Sequence, residues 1–134
     1  MLGRHETREA AFQALFALNA NPEADRDAVY AAVLPEDETP SPYLQTLVNG
    51  VLDHQEALDA EITSRLKAGW QLSRLSKPAL IVLRLGLFEI QYEADLPDRV
   101  AINEAIELAK KYDDDQGAKF VNGILAHYVK PAEQ

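Results

Sequence analysis

Apolar residues recur along this chain at three- and four-residue intervals, and the pattern predicts helices almost throughout. Residues 9–20 place Ala11, Phe12, Leu15, Phe16 and Leu18 on a wide stripe, which Asn19, Asn21 and Pro22 end. Asp25 is positioned to cap a short helix that buries Val29, Ala32 and Val33. Residues 35–42 form a polar loop, because Pro35, Pro40 and Pro42 forbid a continuing helix. From Tyr43 onward Leu44, Leu47, Val48, Val51 and Leu52 resume the period. Leu58, Ile62 and Leu66 carry it on after a bend near His54, with Gly69 as the stop.

A second half begins near Trp70. Ser76 and Pro78 read as the cap and an early position of a helix over residues 79–92. That helix is apolar nearly all round, so other helices or a partner must cover it. Residues 95–98 are a connection. Ile102, Ala105, Ile106, Ala109 and Tyr112 form a clean stripe, with Glu107 spaced to pair with Lys110 and Lys111. Residues 113–117 break it. Phe120, Val121, Ile124, Leu125, Tyr128 and Val129 mark a final helix that Pro131 ends. The pair Asn122-Gly123 inside it suggests close helix packing. No β-alternation of useful length occurs. The expected fold is all-α: about seven helices in one bundle, with a seam near residues 69–76 that separates subdomains of about 1–70 and 71–134.

Composition narrows the function. The 134 residues contain no Cys, which excludes disulfide scaffolds, zinc ribbons and thiol nucleophiles. An apolar fraction of 47% is too high for a disordered chain. The N-terminus lacks the apolar region of a signal peptide, and no stretch approaches the ~20 apolar residues of a membrane span. A cytoplasmic location is therefore expected, with no membrane contact. His5, His54 and His127 are too far apart for a metal motif, and no cofactor is implied. The Asp113–Asp115 run lacks EF-hand spacing, the six glycines form no phosphate loop, and no Ser sits in a nucleophile elbow. The chain therefore reads as a non-catalytic binding module.

The net charge of −9 argues at first against nucleic acid, whose phosphates need Lys and Arg. The acid is localised, however. Residues 21–60 hold nine acids and only Arg26, and residues 93–115 hold eight acids against three bases. The two ends are close to neutral. Arg4, His5 and Arg8 cluster at the start of the first helix, with Arg4 and Arg8 on one face. Lys119 beside Phe120 pairs a cation with an aromatic, a combination suited to a phosphate and a stacked base. Both groups also have plain structural readings: a solvated helix start, and a core phenylalanine.

Four ordered strings carry a resemblance: residues 8–16 (REAAFQALF), 83–90 (LRLGLFEI), 100–112 (VAINEAIELAKKY) and 119–125 (KFVNGIL). The chain resembles the NusB family of bacterial transcription antitermination factors over nearly its full length. The resemblance implies an all-α fold of two helical subdomains and no enzyme activity. It implies binding of single-stranded boxA RNA in nascent ribosomal RNA transcripts, together with NusE, a small-subunit ribosomal protein, and through them indirect contact with other Nus factors and RNA polymerase. It places RNA on Arg4, His5, Arg8, Gln116, Lys119 and Phe120, and NusE around Arg84, Phe88, Glu89 and Tyr92. Glu6 interrupts the basic run and His5 is only partly charged near neutral pH, so a basic partner is expected to complete the RNA site. NusB-like domains also open ribosomal RNA cytosine methyltransferases. Such an enzyme needs a downstream α/β cofactor domain, and none is expected in these residues. A homodimer that covers its own RNA surface is a third reading.

Overall fold

Two side-chain caps set the chain's helical phase where the sequence predicts them. Asp25 accepts the Ala28 N–H at 3.1 Å and starts α2, Arg26–Val33; Ser76 accepts the Ala79 N–H at 3.1 Å and starts α5, Lys77–Tyr92. The computed structural model describes residues 2–130. The other helices are α1 Arg4–Ala20, α3 Pro42–Asp53, α4 Gln55–Ser64, α6 Asp98–Tyr112 and α7 Asp115–Leu125. Among the described residues two short 3-10 turns, Leu72–Arg74 and Ala126–Tyr128, accompany these seven α-helices, and no strand occurs. No helix among them is long and apolar enough to cross a membrane.

The chain divides into two compact units, residues 1–53 and 54–134. This differs from the seam expected near residues 69–76, because α4 packs on α5 and belongs to the second unit. In the first unit α1 packs against α2 and α3 through Ala11, Phe12, Leu15 and Leu18, with Leu44, Leu47, Val48 and Val51 contributed by α3. Phe16, expected on the buried stripe, is exposed. In α2 the buried residues are Val29 and Tyr30, while Ala32 is exposed and Val33 half-buried.

In the second unit α5 is the central element. Every residue from Ala79 to Glu89 is buried, as expected for a helix apolar on all faces, and α4, α6 and α7 pack on it. Its Leu83, Leu85 and Leu87 are almost wholly sequestered; each such burial stabilises by about 1.5–3 kcal/mol. Gly86 permits the close approach of α6 and α7: a Cβ there would stand 2.8 Å from Leu125 Cδ1 and 3.0 Å from Ala105 Cβ. Asn122 and Gly123, expected to mediate close packing, are instead both exposed, with open space around Gly123.

Helix ends follow the polar signals with small shifts. Helix α4 stops at Ser64, and Gly69 takes φ +86° in the turn that follows, a conformation glycine adopts without steric cost. The break expected at residues 113–117 is confined to Asp113 and Asp114. The Asp114 carboxylate accepts the Gly117 N–H at 2.7 Å, so α7 starts earlier than its composition suggests. Helix α7 ends at Leu125, and Tyr128 lies in the 3-10 turn; Pro131, the expected terminator, is outside the described residues.

Candidate nucleic-acid interface

The basic residues at the start of α1 do not behave alike. Arg4 is exposed, and its guanidinium carbon lies 3.9 Å from the centroid of the Tyr43 ring, a cation–π contact. Arg8, one turn on, addresses the same tyrosine from 5.9 Å and donates from Nη2 to the Tyr43 hydroxyl at 3.5 Å. It is only 2% exposed. The expected shared face is real, but on Arg8 it points inward, and a buried guanidinium presents nothing to a phosphate. His5 is exposed, with Nε2 3.6 Å from Glu9 Oε1 one turn later. Arg4 and His5 are therefore the outward-facing members of the trio.

A second group forms in the other unit. A groove of about 520 Å³ is lined by residues drawn from two stretches, among them Arg65, Lys67, Trp70 and Arg74 from the first and Asp113, Asp114, Gln116 and Phe120 from the second. Two of the expected residues, Gln116 and Phe120, line it together; they are four apart on α7 and share a face. Phe120 is half-buried, neither a sealed core residue nor a free one. Lys119 is exposed on α7 but is not among the lining residues. The groove's edge is held by a small network. Asp113 Oδ2 accepts from Ser76 Oγ at 3.0 Å while that Oγ caps α5. Gly117 leaves room for the Asp113 carboxylate, which a Cβ would overlap.

Residues 65–74 were not expected to belong to a site. Trp70 is 49% exposed, although it is the chain's single tryptophan and a large apolar surface. The signal was present: cations at 65, 67 and 74 interleave with an aromatic at 70, the composition of a single-strand binding segment. What the sequence does not indicate is that these residues line one groove with Phe120.

The four residues expected around a protein partner also divide. Arg84 is buried and donates to Asp59 twice, Nε to Oδ1 at 2.7 Å and Nη2 to Oδ2 at 2.9 Å. Phe88 is buried, and Glu89, despite its charge, is only 2% exposed. The cause is the covering of α5 on all faces. Tyr92 alone of the four is exposed, at 45%; it stacks on Phe88 with ring centroids 5.2 Å apart and meets His54 in a tilted contact at 4.2 Å. Among the described residues no group of three His, Asp or Glu side chains is arranged to hold a metal ion.

The surfaces therefore offer cations, aromatic faces and an exposed tyrosine, and comparison with known proteins gives them a context. A transcription antitermination protein NusB from Lacticaseibacillus casei is 64% identical over 134 residues, covering 100% of this chain and 99% of that relative. A solved structure of T. maritima NusB superposes with a TM-score of 0.85 at 33% identity, over 95% of this chain and 90% of that one. A chain in the crystal structure of antitermination factors NusB and NusE in complex with double-stranded RNA superposes with a TM-score of 0.80 at 26% identity, covering 93% and 94% of the two chains. The NusB family model matches residues 5–130, and the chain belongs to the NusB family.

Proposed function

We propose that this chain is a transcription antitermination factor, a non-catalytic cytoplasmic adaptor that binds single-stranded boxA RNA jointly with NusE. The observation that carries the reading is the groove in which Trp70 and Phe120 lie among Arg65, Lys67 and Arg74. Aromatic faces among cations suit unpaired bases and the phosphates between them. Gln116 lines the same groove, and Lys119 is an exposed cation on the same helix. In the other unit Arg4 and His5 offer RNA contacts of their own, where Arg8 supports Tyr43 beneath Arg4 rather than touching RNA. Of the residues assigned to NusE, Tyr92 makes the direct contact, at the C-terminal end of α5.

The magnitudes explain why a partner is needed. Two base stacks supply ~1–3 kcal/mol each. Even at the upper end they fall short of the ~8.2 kcal/mol of a micromolar complex. Phosphate contacts by five cations would make up part of the rest, with a salt slope of roughly −3.5 at ~0.7 per contact. The overall charge of −9 opposes long-range attraction of RNA, so a basic partner completes the affinity.

Trp70, as the single tryptophan, reports on its own site. Titration with boxA-like single-stranded RNA, with and without NusE and at two salt concentrations, is expected to quench its fluorescence saturably and more tightly with NusE. The relative solved with double-stranded RNA makes the duplex form of the same sequence the natural comparison. Tighter binding of the duplex with no change in Trp70 emission would reject the groove as a single-strand site.

A further inference from the structure

Tyr128 lies in the 3-10 turn after α7, and its hydroxyl reaches across to the C-terminal end of α4. There the hydroxyl donates to Glu61 Oε2 at 2.9 Å, with the Glu61 carbonyl oxygen also within reach at 3.0 Å. The Tyr128 hydroxyl oxygen in turn accepts the Arg65 Nε–H at 3.4 Å, and the Arg65 guanidinium carbon stands 5.2 Å from the Tyr128 ring centroid. Arg65 lines the groove, whereas Tyr128 does not. Beyond the turn, the Lys130 N–H donates to Asp98 Oδ2 at 2.9 Å and ties this end of the chain to α6.

We propose that Tyr128 is a positioning residue for nucleic-acid binding: it holds the Arg65 guanidinium at the groove and occupies the Glu61 carboxylate that would otherwise pair with it. The inference rests on the groove being the RNA site. Three features carry it. Arg65 follows the last turn of an exposed helix end, so without a partner its long side chain would sample many rotamers and lose that freedom on binding. Glu61 stands one helical turn before Arg65, the spacing of an intrahelical ion pair that would neutralise the cation. Tyr128 addresses both groups with one oxygen, and its ring gives the guanidinium a face to lie against.

The test is a cycle of variants measured for single-stranded RNA affinity by Trp70 fluorescence, with the protein together with NusE. Arg65→Ala is expected to weaken binding and reduce the salt slope by about 0.7, the loss of one phosphate contact. Tyr128→Phe keeps the ring and removes the hydroxyl. It is expected to weaken binding about threefold in the parent and not at all in the Arg65→Ala background, since residues acting as a unit are not additive. Glu61→Ala discriminates further without touching the C-terminal turn, because the backbone carbonyl it keeps still accepts from the Tyr128 hydroxyl. In the Tyr128→Phe background it removes the acid freed to pair with Arg65, and should restore more affinity there than it adds in the parent. Equal losses from Tyr128→Phe in both backgrounds, or the same effect of Glu61→Ala with and without the Tyr128 hydroxyl, would overturn the inference. If parent and Arg65→Ala bind alike, it is the groove reading that fails. The Arg65 Nε–H resonance then decides the rest: slow exchange in the parent and fast exchange in Tyr128→Phe show that Tyr128 holds Arg65, and equal exchange shows that it does not.

Discussion

Arg84 of α5 and Asp59 of α4 face each other as a two-pronged pair, with Nε–Oδ1 at 2.7 Å and Nη2–Oδ2 at 2.9 Å. The geometry fixes the register of two helices whose apolar faces alone would tolerate sliding. Arg84 is buried and the Asp59 side chain is 22% exposed, so solvent screens the pair only in part. Asp59→Ala takes away the acceptor of two guanidinium donors and is expected to cost about 2–3 kcal/mol in urea unfolding. The double variant Asp59→Leu, Arg84→Met should regain most of that loss, because it removes both charges. A cost below about 0.5 kcal/mol for Asp59→Ala would place the pair with ordinary surface salt bridges.

Two glycines should respond to alanine with opposite signs. Alanine favours a helix over glycine by about 1 kcal/mol. At Gly86 the new methyl would press on Leu125 Cδ1 and on Ala105 Cβ, and the second cannot rotate aside. Overpacking costs ~1–3 kcal/mol, so Gly86→Ala should be destabilising by about 1 kcal/mol net. A Cβ added at Gly123 would meet nothing within 4 Å beyond its own helix backbone and chain neighbours, and Gly123→Ala should stabilise by about 0.5–1 kcal/mol. Because Gly123 lines the groove, the same methyl should weaken RNA binding while raising the melting temperature. Melts and titrations on the two variants separate these effects.

What was legible in the sequence was local. The caps at Asp25 and Ser76 sit where a short side chain reaches an N–H three residues on, and α5 declared its burial through an unbroken run of apolar residues. The failures are long-range. The eight-residue α2 turns Tyr30 inward and Ala32 outward, because its contact with α1 outweighs a period read over two turns. Arg8 and Glu89 carry charges that favour the surface, yet neighbouring elements enclose both. The placement of α4 involves a pair 25 residues apart, Asp59 with Arg84, and the groove brings Trp70 and Phe120, 50 residues apart, into one lining. No local spacing encodes either arrangement.

Substitutions in the basic residues should therefore split by role. Lys119→Ala removes an exposed cation and is expected to leave stability within ~0.5 kcal/mol of the parent while reducing the salt slope of RNA binding by about 0.7. Arg4→Ala should weaken RNA binding similarly and cost ~0.5–1 kcal/mol through the lost contact with Tyr43. Arg8→Ala should instead act on the fold: a buried, hydrogen-bonded guanidinium is removed and a cavity left, so melting should fall by the equivalent of at least ~1 kcal/mol. An Arg8→Ala protein that melts like the parent but fails to bind RNA would return Arg8 to the interface.

Tyr30 offers a test of stability against pH. Its hydroxyl is buried with no hydrogen-bond partner among the described residues. Burial is the main cause that pushes its pKa above the usual 10.0, with Asp27 acting in the same direction and Arg26 against it. The folded chain thus keeps the phenol proton where the unfolded chain releases it. Above pH ~10 the unfolded state binds fewer protons, so stability falls as pH rises; below that, the Tyr30 contribution is constant. Tyr30→Phe removes both features. At pH 8 it should leave stability unchanged or raise it by up to about 1 kcal/mol, because an unsatisfied polar group is replaced by an apolar one of nearly the same shape. Between pH 8 and 10.5 the variant should lose less stability than the parent, a difference that cancels the titration of the other tyrosines and the lysines. A loss above about 1 kcal/mol at pH 8 would mean that the hydroxyl is bonded after all.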